Sequence, residues 1–278
     1  MMVPQSPTAT QRPDAFMRAR GRAMNPRVQN WQGLRVWVIG ASTGIGAETA
    51  RLLLAKGARV ALSARNTAAL EDVAGGNTQA LVLPLDITVH AEVAVAHERL
   101  LSAWQGVDLV LIVAGAYVEM RADHLDMKVI DKILDVNLRG AFHCLETVLP
   151  TLIAQGQGGI GIVSSVAGLS GLPKALVYGP TKAALINLCE SLYFDLSPRG
   201  LGIYLINPGF VETPATAGNT FAMPGLISAE QAAAEILSGI ERGRFHIHFP
   251  KRFTNWLRFA RLLPYRWYFS LIHKVTGL

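Results

Sequence analysis

Tyr178-Gly179-Pro180-Thr181-Lys182 sets a phenol and an ammonium four residues apart. On a helix the two lie on one face, about 6 Å apart along the axis. A free tyrosine titrates at roughly pH 10. A neighbouring cation favours the phenolate, which makes such a phenol a general acid/base nearer neutral pH. Ser165 lies thirteen residues before Tyr178, just past the apolar run Gly159–Ser164. If that run is a buried parallel strand, Ser165 stands at its carboxyl end, where ligands gather, and its hydroxyl can donate to a substrate oxygen. Asn137, in Asp135-Val136-Asn137-Leu138-Arg139-Gly140, is a polar side chain inside a helical pattern.

A second stretch could seat a partner molecule. Val36-Trp37-Val38-Ile39 is apolar without alternation, as in a strand buried on both faces. It runs into Gly40-Ala41-Ser42-Thr43-Gly44-Ile45-Gly46 and then a helical pattern. Gly40 permits a tight turn, and Gly44 and Gly46 leave room for a diphosphate to approach the backbone. The helix start offers unpaired N–H groups and a partial positive charge, and Ser42 can add a hydroxyl.

The elements that must position these groups alternate. Helices are expected over 47–56, 66–74, 88–104 (capped by Thr88), 123–155, 178–196 and within 225–242. Strands are expected over 36–39, 59–64, 79–85, 107–113, 159–164, 202–206 and 245–249. Regular βαβ alternation forces right-handed crossovers. The expected fold is therefore α/β, a doubly wound, mostly parallel seven-stranded sheet of Rossmann-like type, in one domain over residues 34–250. Residues 1–33 read as a disordered leader, either an arginine-rich targeting peptide or an over-long start with Met24 as the working initiator. Residues 251–278 form a basic, aromatic tail split into two short helices by Pro264.

The hydrophobic fraction is 50% and the mean hydropathy +0.29. Buried parallel strands account for that, and no apolar run is long enough to span a bilayer. The net charge of +6 divides unevenly: +4 in residues 1–33, −6 in the body and +8 in residues 242–278. An acidic body argues against nucleic-acid binding. Cys144 and Cys189 fall inside helical patterns and read as small buried side chains in a reducing compartment.

The glycine run, Asn137, Ser165, Tyr178, Lys182 and Asn207-Pro208-Gly209-Phe210-Val211-Glu212-Thr213 resemble, in order and spacing, the short-chain dehydrogenase/reductase family. The resemblance covers Leu34 to about Phe249. It implies that Tyr178 exchanges a proton with the substrate oxygen and that Lys182 holds the nicotinamide ribose and lowers the tyrosine pKa. Ser165 would stabilise the oxygen, and Asn137 would hold a water in a proton relay. The cofactor would touch Gly40, Ser42, Thr43, Gly44, Ile45, Gly46, Ala114 and Gly115. Asp86 and Ile87 would flank its adenine, and Pro208, Gly209, Val211 and Thr213 would line its nicotinamide. No metal site is assigned. Two departures stand out. Ile39 replaces a threonine before the first glycine, and Ile112-Val113 replaces two asparagines before Ala114-Gly115.

No carboxylate closes the second strand, Leu62-Ser63-Ala64-Arg65-Asn66. Arg65 can pair with a 2′-phosphate and Ser63 can add a hydrogen bond, so NADP(H) is expected in preference to NAD(H). The loop Thr213–Ser228 carries Phe221 and Met223 and no charge beyond Glu212, and Leu169 and Leu172 come from the facing loop. An apolar carbonyl or alcohol substrate follows. The basic aromatic tail either lies on a membrane surface or packs on the lid or a second subunit. The resemblance implies a homodimer or homotetramer through helices 123–155 and 178–196. The expected location is the cytoplasm or, through the tail, a membrane surface. A nucleotide-binding regulator without turnover and a peripheral membrane scaffold using the tail are the competing readings, and the presence of all four of Asn137, Ser165, Tyr178 and Lys182 argues against the regulator.

Overall fold

The structure, a computed structural model, describes residues 16–17, 23–219 and 223–277. Seven parallel strands form one sheet in the order β5(Ala80–Val82), β4(Arg59–Ser63), β3(Arg35–Ile39), β6(Leu109–Ile112), β7(Gly158–Val163), β8(Leu201–Pro208), β9(His246–Phe249). Strand order reverses between β3 and β6, so a crevice opens at their carboxyl ends. β3 is buried throughout, and its side chains alternate between two cores. Val36 and Val38 face the layer beneath α1(Gly44–Ala55) and α7(Ala229–Glu241). Trp37 and Ile39 face the layer beneath α3(His90–Trp104), α5(Gly140–Gln155) and α6(Tyr178–Leu196). The buried Arg35–Asp108 ion pair ties the start of β3 to the start of β6.

Several boundaries differ from expectation. The edge strand β5 is three residues, because it pairs only with β4. Thr88 does not cap α3. Its amide and hydroxyl both donate to Asp86, and the helix begins at His90. The long helix starts at α4(Met127–Leu134), where the Asp126 carboxylate accepts from the Lys128 amide, rather than at Asp123. Between α4 and α5 the turn widens into a π-helical segment, Asp135–Arg139, and Asn137 sits inside it. α2(Thr67–Ala74) is capped by Asn66.

The disordered leader is also too long. Residues 1–15 and 18–22 lie outside the described residues, but residues 23–33 are folded. A two-residue ribbon pairs β1(Phe16–Met17) with β2(Arg27–Val28), and Val28 and Trp31 join the core. The Asn25 side chain bonds both the amide and the carbonyl of Ile203 in β8. These bonds were not legible because the stretch has no hydrophobic period. Cys144 and Cys189 are free and buried, and burial pushes both thiols up to about 12. Among the described residues no helix is long and apolar enough to cross a membrane.

Candidate active site

The glycine turn is shaped by clearance. Gly40 has φ +98°, and a Cβ there would lie 2.4 Å from the Ala114 amide nitrogen. A Cβ on Gly46 would lie 2.0 Å from the Gly40 carbonyl oxygen. The first fixes the turn against the end of β6, and the second packs α1 on the turn. Gly44, at φ +55°, would bring a Cβ within 2.8 Å of the Thr213 methyl. The cradle and the loop after β8 therefore come into contact at this point. Ile39 and Ile112 pack in the core where the family pattern has polar residues.

Tyr178 opens α6 and Lys182 follows one turn later, with its Nζ 5.6 Å from the phenol ring centre. The Lys182 ammonium donates to the Val163 carbonyl at 2.9 Å, and the Ser164 hydroxyl donates to the Lys182 carbonyl at 2.7 Å. These bonds strap the end of β7 to the first turns of α6. Ser165 comes next, with its hydroxyl accepting from the Ala167 amide and lying beside the Tyr178 hydroxyl. A Cβ on Gly168 would meet the Lys182 backbone at 2.5 Å, so this short turn lies directly on α6.

Electrostatics correct one expectation. Burial pushes the Tyr178 phenol above its ordinary value and outweighs the lowering by Ser165, so the depression expected from Lys182 does not prevail. Lys182 is itself buried, which pulls its ammonium down to about 8. Tyr117, absent from the sequence reading, stacks edge-on against Tyr178 at 5.0 Å. It comes from the loop after β6, which has no period that would reveal it. Its own hydroxyl is pushed up to about 12 by burial, Glu119 and Tyr178.

Asn137 stands behind this group. Its Oδ1 accepts from the Ala116 amide at 2.6 Å, and its Nδ2 donates to the Ala116 carbonyl and to the Thr181 hydroxyl. The side chain thus pins the loop after β6 to α6. Gly115 lies between: a Cβ on it would sit 3.3 Å from the Lys182 Nζ and 3.5 Å from the Asn137 Oδ1.

At the other end of the crevice Arg65 is exposed. Burial acts to raise the Asp86 carboxyl, but two hydrogen bonds from Thr88 and the nearby Arg65 guanidinium hold it below the usual range. Ser63 does not serve there. It is fully buried, accepts from the Trp37 indole at 2.9 Å and donates to the Leu83 carbonyl at 2.7 Å.

One open cleft of about 1320 Å³ joins these parts. Every expected cofactor and catalytic residue lines it except Asn137 and Ser63. Met223 and Leu172 line it as expected, whereas Phe221 lies outside the described residues. The tail lines it too: Phe253, Trp256 and Leu257 from α8(Lys251–Ala260), and Ile272 and Val275 from α9(Tyr265–Thr276). Helical spacing alone could not say which surface those helices cover.

The model of the short chain dehydrogenase family matches residues 35–222, more than half of the chain. The chain belongs to the short-chain dehydrogenase/reductase family. It is an NAD(P)-dependent oxidoreductase. An uncharacterized oxidoreductase of Myxococcus xanthus (strain DK1622) is 35% identical over 233 residues, covering 82% of this chain and 91% of that protein. One from Staphylococcus epidermidis is 32% identical over 201 residues, covering 72% and 87%. The solved structure of a 3-ketoacyl-(acyl-carrier-protein) reductase from Brucella melitensis, complexed with NADH, superposes on this dehydrogenase with a TM-score of 0.72. It is 24% identical and covers 79% of this chain and 98% of its own. At that identity the likeness carries the fold.

Proposed function

We propose that this dehydrogenase interconverts an apolar carbonyl compound and its secondary alcohol, with NADP(H) in preference to NAD(H). The observation that carries the reading is the convergence of Tyr178, Ser165 and Lys182 on one cleft that also holds the glycine cradle. The cradle suits a dinucleotide: a side chain at Gly40 or Gly46 would strike backbone, and α1 opens with unpaired N–H groups. The nicotinamide, when bound, supplies or accepts the hydride.

The chain's own groups do the rest. Tyr178 gives its proton to the carbonyl oxygen as charge develops there and takes it back in the reverse direction. Burial keeps the phenol protonated, so the proton is in place before the carbonyl arrives. Ser165 donates a hydrogen bond to the same oxygen. Lys182 holds the ribose and, as an ammonium, favours the phenolate left behind. Asn137 fixes the loop carrying Ala114 and Gly115. Its side chain is fully used on Ala116 and Thr181, so the relay water would be held by its main-chain carbonyl in the π-helical segment.

Arg65 would pair with the 2′-phosphate, and Asp86 and Ile87 would border the adenine. Pro208, Gly209, Val211 and Thr213 would bound the nicotinamide. Leu172, Met223, Phe253 and Trp256 make the substrate side apolar. Phe142 and Phe194, exposed on α5 and α6, suit helix pairing between subunits in a homodimer or homotetramer.

Oxidation of NADPH with a panel of ketones and aldehydes tests the reading. Tyr178→Phe is expected to lower kcat by about 10²–10⁴-fold while NADPH still binds, as read by fluorescence. Retained turnover in that variant would overturn the assignment.

A further inference from the structure

The two tail helices carry a surface that the catalytic reading leaves unused. α9 packs on the body through Tyr268 and Ile272, which meet Ala260 and Leu172, and the Tyr268 hydroxyl donates to the Gly171 carbonyl at 2.7 Å. The apolar arc of the tail is wider than that contact. Phe259, Leu262, Tyr265, Trp267 and Phe269 are exposed by 65%, 79%, 77%, 64% and 52%, and Tyr265 stacks on Phe269 at 5.7 Å. So many large apolar side chains, exposed within eleven residues, mark an interaction surface rather than ordinary scatter.

The charge around them is one-sided. Residues 242–278 hold eight basic residues and no acidic one. Of these, Arg252, Arg261, Arg266 and Lys274 are exposed on the same two helices and the turn between them. A second copy docked tail to tail would set like charges against each other. Anionic headgroups neutralise them, and tyrosine and tryptophan suit the headgroup boundary. The same helices border the active site. Val275 lines the cleft and is 58% exposed, so it stands at the mouth.

We propose that α8 and α9 dock this enzyme on an anionic lipid surface, with the cleft mouth against the bilayer, so that its substrates are carbonyls or alcohols dissolved in the membrane. The substrate half of this inference rests on the function proposed above. The docking half does not.

Co-sedimentation of the full chain with vesicles tests the docking. About tenfold or more should pellet with vesicles of phosphatidylcholine mixed with phosphatidylglycerol than with phosphatidylcholine alone, and added salt should reduce it. The double variant Leu262→Glu/Phe269→Glu should lose about tenfold of that binding. Both side chains are exposed, so the fold is kept. Equal pelleting on both vesicles, or no loss in the variant, overturns the docking. So does gel filtration showing that the variant breaks an oligomer, because a second copy then covers the face.

Turnover separates the two halves. Reduction of cyclohexanone in water should be unchanged in the variant, whereas reduction of a long-chain methyl ketone carried in the anionic vesicles should fall about tenfold. An equal fall on both ketones, or on neither, overturns delivery from the bilayer. A wild-type enzyme that pellets but reduces neither ketone counts against the proposed reaction, and the docking stands.

Discussion

The cofactor side and the substrate side of the cleft are built on different terms. In the cradle, a methyl group added at Gly40 or Gly46 would lie 2.4 Å or 2.0 Å from backbone atoms, which cannot move aside. In the loop after β8, a Cβ at Gly218 meets nothing within 4 Å. The tail beyond it is held by a small apolar cluster and a few hydrogen bonds. The cradle is thus fixed by the close approach of main chain to main chain. The substrate side is an added layer of side chains, and it can vary without disturbing the sheet.

That contrast can be broken most directly at Gly46. Gly46→Ala should destabilise the protein by about 1–3 kcal/mol and abolish nucleotide binding, read by thermal unfolding and NADPH titration. A variant that folds and binds normally would show that the cradle has slack.

Lys182 lies at the seam between the two sides, and it sharpens the comparison by separating stability from activity. Its folded pKa, about 8, lies below its ordinary 10.5. Below pH 8 the protein carries a buried ammonium at a cost, and that cost disappears as pH rises from 8 to 10.5. Lys182→Met should therefore remove catalysis yet raise stability at neutral pH by about 1–2 kcal/mol. Roughly 3 kcal/mol comes from the shift, less about 1 for the bond to Val163. The gain should fade through the pH 8–10.5 window, as followed by Tm against pH. A lower Tm at pH 7 would contradict it.

Arg65→Ala tests the far end of the cradle. It should weaken NADPH binding by about 1.5–3 kcal/mol, roughly ten- to a hundredfold, and leave NADH unaffected, as read from KM for the two nucleotides. Equal loss for both would assign Arg65 to some role other than the 2′-phosphate. The smallest effect belongs to the substrate loop: Gly218→Ala should change stability by less than about 0.5 kcal/mol. A larger shift in Tm would mean that this loop is as tightly fitted as the cradle.

What was legible in the sequence follows the same division. The cradle and the α6 boundaries, Tyr178–Leu196, stood where motif and periodicity put them, because strand burial and helix period leave direct marks. Ser63 was misread for a reason of parity. Ala61 and Ser63 point to the same sheet face as Trp37 and Ile39 pair against, so the hydroxyl meets the Trp37 indole inside the core. The π-helical turn at Asn137 was invisible, since one extra residue per turn barely alters an apolar pattern. The tail was read correctly as two helices split at Pro264, but its contact with the cleft depends on Leu172 and Gly171, roughly a hundred residues away in the chain.

Asn25 carries one more consequence. β9 pairs with β8 only from Leu205 onward, which leaves the peptide of Ile203 without a ladder partner on that flank. The Asn25 carboxamide takes both its amide and its carbonyl, as the main chain of an adjoining strand would. It works as a one-residue splint for a sheet edge that is too short. Shortened versions of this protein therefore have a sharp limit: those that begin at Met24 keep the splint, and those that begin at Leu34 leave the amide and carbonyl of Ile203 bare inside the sheet.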